Sequence, residues 1–278
     1  MKGPGLLIPK MTQTDKKLPG EALEKAIQNG DIGYAIQPIF DARDSSLFAG
    51  EALIRWHKKG SASPLSDFLP QLCYLEWREP YQSLLLDQKL KTADLLRNHA
   101  KVDTHFNFVV ESLLDDQCWK SVQENISKNT IAFDNIVIEL SEMNLFEHGK
   151  IQLDRASGRL QELQSLAPGV KFALDDFGSG LSNLNRLRMW NISVLKLDIR
   201  LISSIDQDTK GQILLRNLRQ MASDLDILLI AEGVETKEEE EVLLNLGIYL
   251  QQGFLRAAPM SIEAFTSTHY VTTSAGEK

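Results

Sequence analysis

The chain has 278 residues, a hydrophobic content of 43% and a formal net charge of −8. This composition is that of a folded protein with a substantial core, and its acidic balance argues against binding DNA or RNA polymers, which requires basic patches. Cys73 and Cys118 form no CxxC spacing, which argues against a disulfide framework or a thiolate zinc site. No apolar run approaches the roughly 18 residues of a membrane span, so we expect a cytoplasmic domain with no membrane segment.

Apolar strand patterns alternate with helical patterns along most of the chain. After a flexible lead-in at 1–18, strands are predicted at 32–40, 47–56, 105–110, 135–140, 171–175, 194–198, 226–231 and 249–254. Helices are predicted at 21–29, 84–96, 113–126, 152–166, 184–189, 212–225 and 237–246. In the 212–225 helix, the expected buried face comprises Leu214, Leu218, Met221 and Leu225.

This alternation predicts an α/β fold, because buried strands that are separated by helices are typical of parallel sheets. A polar turn between the first two strands indicates a hairpin, in which the opening pair is antiparallel. We expect one domain at 19–265 and a flexible tail at 266–278.

Nearly every predicted strand carries a polar side chain near its carboxyl end. In a barrel these ends converge on one face, where the active sites of barrel enzymes lie. Buried charges need a partner or a metal, so the set indicates a functional site rather than separate structural ion pairs. Its members are Glu51, Asn107, Glu139, Asp175, Lys196, Glu232 and Gln252.

Two adjacent carboxylates, Asp175 and Asp176, end the 171–175 strand and precede a loop rich in glycine and serine. Adjacent strand residues point to opposite faces, so both carboxylates reach one site only if the chain bends there. The alternative interpretation is a strand-ending turn in which an Asp caps the next helix.

The ligands in this set are rich in oxygen, which favours Mg²⁺, Mn²⁺ or Ca²⁺ over structural zinc. The acidic groups exceed what one Mg²⁺ usually takes from a protein, so two ions are expected, an arrangement suited to phosphoester hydrolysis. The five histidines are scattered and are interpreted as surface groups or as residues that support ligands from behind.

A series of short motifs resembles a known family. Glu51-Ala52-Leu53-Ile54-Arg55-Trp56 resembles the signature of EAL domains, the phosphodiesterases of cyclic di-GMP. The resemblance covers 21–259 in the family's order and is far more specific than Glu-Ala-Leu alone. It continues in Gln37-Pro38-Ile39, Asn107, Glu139-Leu140-Ser141-Glu142, Asp175-Asp176-Phe177-Gly178-Ser179-Gly180, Lys196-Leu197-Asp198, Glu232-Gly233-Val234-Glu235-Thr236 and Gln252-Gly253-Phe254.

The resemblance implies a modified TIM (β/α)8 barrel with an antiparallel first strand, which hydrolyses cyclic di-GMP to linear pGpG. The implied cofactor is Mg²⁺ or Mn²⁺, as two ions, with Ca²⁺ inhibitory. The implied catalytic residues are Glu51, Lys196 and Glu232, and the metal ligands are Glu51, Asn107, Glu139, Asp175 and Asp176. The implied substrate contacts are Gln37, Arg55, Asp198, Glu235 and Gln252, and Glu142 would anchor the loop that begins at Asp176.

The same resemblance implies a homodimer. The sequence shows no sensor or GGDEF motif, so the input signal is expected to come from a missing sensor domain, a protein partner or the expression level. One alternative is a receptor that binds cyclic di-GMP without cleaving it; Ala258, where the family commonly has a basic residue, is a departure that bears on it. A second alternative is a protein-interaction domain that binds no nucleotide. Retention of Glu51, Asp175, Asp176 and Lys196 argues against the receptor, and retention of Arg55 and Gln252 argues against the interaction domain.

Overall fold

Eight strands form a closed barrel in the computed structural model, which describes residues 21–58, 61–62, 68, 72, 80–108, 110–128, 133–140, 150–179 and 184–269. Two short strands extend the sheet. The strands are β1 (Ile32–Asp41), β2 (Ser46–Lys58), β3 (Ser61–Ala62), β4 (Asp103–Phe108), β5 (Ile136–Leu140), β6 (Lys171–Phe177), β7 (Val194–Leu197), β8 (Leu228–Ala231), β9 (Leu250–Gln251) and β10 (Met260–Ser261). The helices are α1 (Glu21–Asn29), α2 (Tyr81–Ala100), α3 (Asp116–Lys128), α4 (Lys150–Leu166), α5 (Leu184–Met189), α6 (Ile199–Ile202), α7 (Thr209–Asp224), α8 (Lys237–Asn245) and α9 (Ile262–Thr268).

The direction of β1 distinguishes this barrel from one built only of parallel strands. β1 pairs antiparallel with β2 on one side and with β9 on the other. Every pair from β2 through β4, β5, β6, β7 and β8 to β9 is parallel. The short β10 adds to β1, and β3 adds to β2. The predicted TIM-like barrel with an antiparallel first strand is therefore confirmed.

The turn between β1 and β2 is built by short polar side chains. Asp41 Oδ1 accepts a hydrogen bond from the backbone N–H of Arg43 at 3.0 Å, and Asp44 Oδ1 accepts one from Ser46 at 2.9 Å. Ser45 between them has a φ of 62°. Such side-chain bonds to the backbone stabilise a tight reversal, which sets the two strands antiparallel.

Turns in the backbone shorten two of the predicted strands. The strand predicted at 226–231 begins only at Leu228, because Asp226 has a φ of 56° and lies in the turn after α7. The last barrel strand is Leu250–Gln251 instead of 249–254, since the chain turns at Gly253, whose carbonyl accepts from the N–H of Arg256. The last helix, α9, continues to Thr268.

The predicted buried face of α7 was wrong in two positions. Leu214 is 59% exposed and Leu225 is 51% exposed, whereas Leu215 and Ala222 are buried. The buried residues, with the partly buried Leu218, follow the i, i+3, i+7 spacing of one helix face. Leu225 follows the last helical residue and caps the helix, so it does not continue that face.

The barrel interior consists of an apolar layer beneath a polar layer. The apolar layer comprises Ile39, Ala49, Val137, Ala173, Val194, Ile230 and Leu250. Side chains two residues apart on a strand share a face, so the residues that follow these on the parallel strands also point inward. Those following residues are Glu51, Glu139, Asp175, Lys196, Glu232 and Gln252. On β1, which runs the other way, Gln37 precedes Ile39 by two. The polar layer therefore lies at the carboxyl-terminal mouth of the parallel strands.

The helices cover the outer face of the barrel through a large apolar cluster that includes Leu160 and Leu163 of α4 and Leu215 of α7. The first turn of α8 is closed by a capping box. The Thr236 side chain accepts a hydrogen bond from the backbone N–H of Glu239, and the Glu239 side chain accepts one from the backbone N–H of Thr236.

Of the helices that the structure describes, none combines the length and apolar character of a transmembrane segment.

Candidate metal centre at the mouth of the barrel

The ammonium group of Lys196 lies at the centre of the polar layer, and its side chain is only 1% exposed. Burial alone would lower the pKa of Lys196, but the surrounding carboxylates, Asp175 foremost, raise it well above its ordinary value. One positive charge does not balance four acidic groups, so further cations would be attracted to this site. The distances from Lys196 Nζ are 2.6 Å to Glu232 Oε1, 2.7 Å to Glu139 Oε1, 3.3 Å to Glu51 Oε2 and 3.4 Å to Asp175 Oδ1.

Two amide side chains hold the carboxylate of Glu51. Asn107 Nδ2 donates to Glu51 Oε1 at 3.0 Å, and Gln252 Nε2 donates to Glu51 Oε2 at 2.8 Å. Burial raises the pKa of Glu51, but the charge of Lys196 and the bond from Gln252 outweigh it, and the net pKa is lowered. Glu51 is therefore held ionised and fixed in orientation between β4 and the end of β9.

The two carboxylate oxygens of Glu139 differ in their contacts. Its Oε1 contacts Lys196, whereas its Oε2 is buried and has no hydrogen-bond partner among the residues that the structure describes. Burial and then the charge of Glu51 raise the pKa of Glu139 well above its usual range. Burial likewise raises the pKa of Glu232 well above its usual range. A buried acceptor without a donor is costly, and a bound cation would satisfy it.

A bend in β6 brings Asp175 and Asp176 to one site, as the sequence required. Asp176 has a φ of 53°, and the register with β7 shifts between Leu174 and Phe177. The left-handed backbone at Asp176 breaks the alternation of the strand, so both carboxylates face the mouth. Asp175, Asp176 and Glu232 each offer an oxygen within 4.8 Å of the others, a separation that one metal ion can bridge.

Asp198 stands beside Asp176 and is held by Arg200. Its Oδ1 accepts from the N–H and Nε of Arg200 at 2.8 and 2.7 Å, and its Oδ2 accepts from Nη2 at 2.9 Å. Burial raises the pKa of Asp198, but the bonds from Arg200 lower it below its ordinary value. Asp176 is hydrogen-bonded to Asp198, and burial together with the charge of Asp175 raises the pKa of Asp176 to about 7. Arg200 Nη1 also donates to Ser179 O at 3.0 Å.

The other predicted site residues lie around this centre. Gln37 is the cross-strand neighbour of Glu51, and its Nε2 is 3.4 Å from Ala257 O. Arg55 follows Glu51 by four residues on β2, and burial lowers the pKa of its guanidinium. The side chain of Glu235 is exposed in the loop before α8. Glu142, the predicted loop anchor, lies outside the described residues.

Sequence reasoning assigned no individual role to His105 or Arg200. His105 is 1% exposed, and its Nδ1 lies 2.9 Å from Glu139 Oε1. Burial, and then the charge of Lys196, lowers the pKa of His105 to about 3, so the ring is neutral. His105 could have been recognised from the sequence because it precedes Asn107 by two residues and so lies on the same face of β4.

The residues of the mouth fit a divalent metal. The donors are carboxylate and amide oxygens, which are the ligands that Mg²⁺, Mn²⁺ and Ca²⁺ prefer. The acidic groups outnumber Lys196, and the buried Oε2 of Glu139 has no donor in the described structure. Metal binding would supply the missing positive charge and satisfy that oxygen.

Comparison with protein families agrees with this geometry. The family model described as the EAL domain matches residues 20–259. The chain belongs to the EAL-domain family. This cyclic di-GMP phosphodiesterase family includes PdeR of Escherichia coli (strain K12), a cyclic di-GMP phosphodiesterase that is 29% identical over 250 residues. The match covers 87% of this chain and 36% of PdeR, so the chain spans about a third of that relative's length.

Two solved EAL structures extend the comparison to ligands. The EAL enzyme Bd1971, in a form bound to cAMP and cyclic di-GMP, matches with a TM-score of 0.73 and 25% identity over 90% of this chain and 67% of that one. BlrP1 of Klebsiella pneumoniae, in a calcium and cyclic di-GMP complex, matches with a TM-score of 0.69 and 27% identity over 83% of this chain and 56% of that one. These EAL domains share their barrel with the chain.

Proposed function

We propose that this EAL domain hydrolyses one phosphodiester bond of cyclic di-GMP, giving linear pGpG, with Mg²⁺ or Mn²⁺ as the cofactor. The observation that carries the proposal is the buried centre in which Lys196 Nζ lies within 3.4 Å of four carboxylates. The family relationship supplies the substrate, since PdeR is named for this activity. Hydrolysis would lower the level of a bacterial second messenger.

The metal ligands proposed are the oxygen donors of the mouth. Glu51, Asn107, Glu139 and Asp175 would hold the first ion, and Asp175 with Asp176 would serve the second. Bound there, the ions would lower the pKa of a water molecule and offset the charge on the phosphate oxygens. These oxygen donors suit a divalent ion, and a bound ion would satisfy Glu139 Oε2, which is buried without a hydrogen-bond partner among the described residues.

The protein groups around the metal ligands have separate tasks in this proposal. The amides of Asn107 and Gln252 hold Glu51 still, so that its oxygens need no reorganisation when a cation binds. Lys196 keeps its proton in the presence of the carboxylates and places positive charge beside the attacking oxygen. Glu232, whose Oε1 is 2.6 Å from Lys196 Nζ, completes the catalytic group with Glu51 and Lys196.

Substrate contacts are assigned to polar groups around the rim. The Arg55 guanidinium would hold a phosphate, because arginine presents a fork of donors that matches phosphate oxygens. Gln37, Gln252 and Glu235 would contact the rest of the nucleotide. Asp198 has both oxygens engaged by Arg200, so it would act on the substrate only after exchanging that partner or by holding Asp176.

The direct test is conversion of cyclic di-GMP to pGpG with Mg²⁺ or Mn²⁺, comparing the wild type with Glu51→Ala. The matched control is Asp87→Asn, which removes an exposed carboxylate paired with Lys91 on α2. We expect turnover in the wild type and the control and its loss in Glu51→Ala. Absence of turnover in the wild type with either metal contradicts the proposal.

A titration with cyclic di-GMP in Ca²⁺ separates the alternatives, since Ca²⁺ is expected to permit binding and suppress turnover. Binding without hydrolysis in Mg²⁺ or Mn²⁺ would identify a receptor. Failure to bind in any of these ions would leave a protein-interaction domain. Ala258, which precedes Pro259, stands where the family commonly has a basic residue, and this difference bears on whether the domain is an enzyme or a receptor.

We also propose that the domain acts in the cytoplasm as a homodimer and receives its signal from a sensor domain or a protein partner. The support is the family relationship, and PdeR is a relative of which this chain covers only 36%. Light scattering of the purified chain with and without cyclic di-GMP and metal tests the dimer. A monomer under both conditions contradicts it.

A further inference from the structure

His105 is a buried polar residue that the proposed reaction does not use directly. It lies on β4, and the parallel register places it beside Glu51 of β2. Its Nδ1 lies 2.9 Å from Glu139 Oε1 on the neighbouring strand β5, and both side chains are almost fully buried. A buried polar pair of this kind stabilises one side-chain arrangement, because either group would lose its partner by rotating away.

The two oxygens of Glu139 have different surroundings. Oε1 meets both His105 Nδ1 and Lys196 Nζ, the latter at 2.7 Å. Oε2 is buried and has no hydrogen-bond partner in the part of the chain that the structure describes. Two contacts to one oxygen fix the plane of the carboxylate, because the terminal torsion of a glutamate is otherwise broad. The free oxygen is therefore held in a single direction.

The direction of the hydrogen bond follows from the chemistry of the partners. A glutamate must be ionised to bind a metal, and an ionised carboxylate only accepts hydrogen bonds. His105 therefore meets the ionised Glu139 through Nδ1–H. Lys196 alone would fix Oε1 less well, since its ammonium is shared among four carboxylates.

We propose that His105 is a positioning residue, whose Nδ1–H holds Glu139 Oε1 and so presents Glu139 Oε2 to the divalent metal. This inference rests on the metal site of the proposed function. His105 touches neither substrate nor metal in this role and acts only through Glu139. Loss of such a supporting hydrogen bond typically weakens metal affinity about 10- to 100-fold.

The test compares the affinity for Mn²⁺ of the whole chain, without substrate, in three variants of His105. His105→Asn places an amide N–H close to the position of Nδ1, whereas His105→Gln carries its amide farther out and His105→Leu has no donor. We expect the Gln and Leu variants to bind Mn²⁺ about 10- to 100-fold more weakly and the Asn variant to bind close to wild type. His269→Asn, which replaces a histidine packed against Phe265 on α9, is the matched control and should leave the affinity unchanged.

Calorimetry gives the Mn²⁺ affinity, and thermal unfolding in EDTA gives the stability of the metal-free protein. A purely structural role would lower that stability and leave the Mn²⁺ affinity unchanged, which overturns the inference. Equal weakening in the Asn and Leu variants also overturns it, because the donor would then be irrelevant. If the wild type binds Mn²⁺ but does not turn over cyclic di-GMP, only the proposed function is refuted. If the wild type binds no Mn²⁺, both the proposed function and the role of His105 are refuted.

Discussion

Replacing Lys196 with methionine tests the electrostatic balance of the barrel mouth. The substitution keeps an unbranched side chain of similar length and removes the ammonium group. Lys196 is 1% exposed and lies within 3.4 Å of the carboxylates of Glu51, Glu139, Asp175 and Glu232. Without the ammonium, those acidic groups repel one another or take up protons, and either response disfavours the folded state at neutral pH.

The expected cost follows from the burial of the contacts. Removing one partner of a buried ion pair destabilises a protein by about 3–5 kcal/mol, because the other charge stays buried without compensation. For a chain of this size, with about 2 °C per kcal/mol, the unfolding temperature should fall by roughly 6–10 °C in EDTA. Mn²⁺ should restore more stability to the variant than it adds to the wild type, since the cation replaces the missing charge.

The assay is thermal unfolding in EDTA and in Mn²⁺, with Lys171→Met as the matched control. Lys171 pairs with Asp103 at 2.6 Å, but its side chain is 44% exposed, so that loss should cost only about 0–1 kcal/mol and be independent of metal. If Lys196→Met unfolds at the wild-type temperature in EDTA, the carboxylates do not depend on the ammonium and our reasoning fails. Our reasoning also fails if Mn²⁺ stabilises Lys196→Met and the wild type equally.

Four further predictions concern pH, packing and capping. The pKa of Asp176 in the metal-free protein is raised to about 7, so Mn²⁺ must displace a proton from it below that pH. Calorimetric affinity for Mn²⁺ should therefore rise as the pH is raised from 6 to 8, and a constant affinity over that range would contradict this. The raised pKa also means that this carboxyl stabilises the metal-free fold fully below its ordinary value of 3.8 and loses that contribution as the pH rises through about 7, which thermal unfolding in EDTA can check. Gly253→Ala would place a Cβ 2.1 Å from a backbone carbonyl oxygen and should destabilise the protein by about 1–3 kcal/mol in urea unfolding, whereas Gly33→Ala has open space and should be tolerated; equal stabilities would refute the steric argument. Thr236→Ala removes the cap that accepts from Glu239 and should cost about 1 kcal/mol, with Thr236→Ser close to wild type; a full loss in the serine variant would show that the hydroxyl is not the cause.

The barrel and most of its mouth could be predicted because both follow from short-range periodicity. Strand residues two apart share a face, so an inward apolar residue such as Val137 fixes the direction of Glu139. The need for a bend at Asp176 followed from the same rule, and its φ of 53° is that bend. Convergence of the carboxyl ends then depends only on the parallel order of the strands.

The details that could not be predicted depend on contacts between distant segments. Leu214 and Leu225 are apolar and helically spaced, but which face of α7 meets the barrel is decided by the neighbouring elements. The contact of His105 with Glu139 joins two strands, and the sequence alone does not report their relative register. Arg200 holds Asp198 from within the same short turn, an arrangement for which the sequence provides no periodic signal.

The antiparallel closure of the barrel has a consequence for synthesis on the ribosome. Phe40 of β1 pairs with Gln251, and Ala35 pairs with Ser261, although β1 and β2 can form their hairpin as soon as both have emerged. At about 5–20 residues per second, the partner strands follow on the order of 10–40 s later. During that interval one edge of β1 offers unpaired N–H and C=O groups, which is the condition that favours association between nascent chains. The bonds that close the barrel are also the last that its strands can make during synthesis, so we expect them to limit the rate at which the barrel folds.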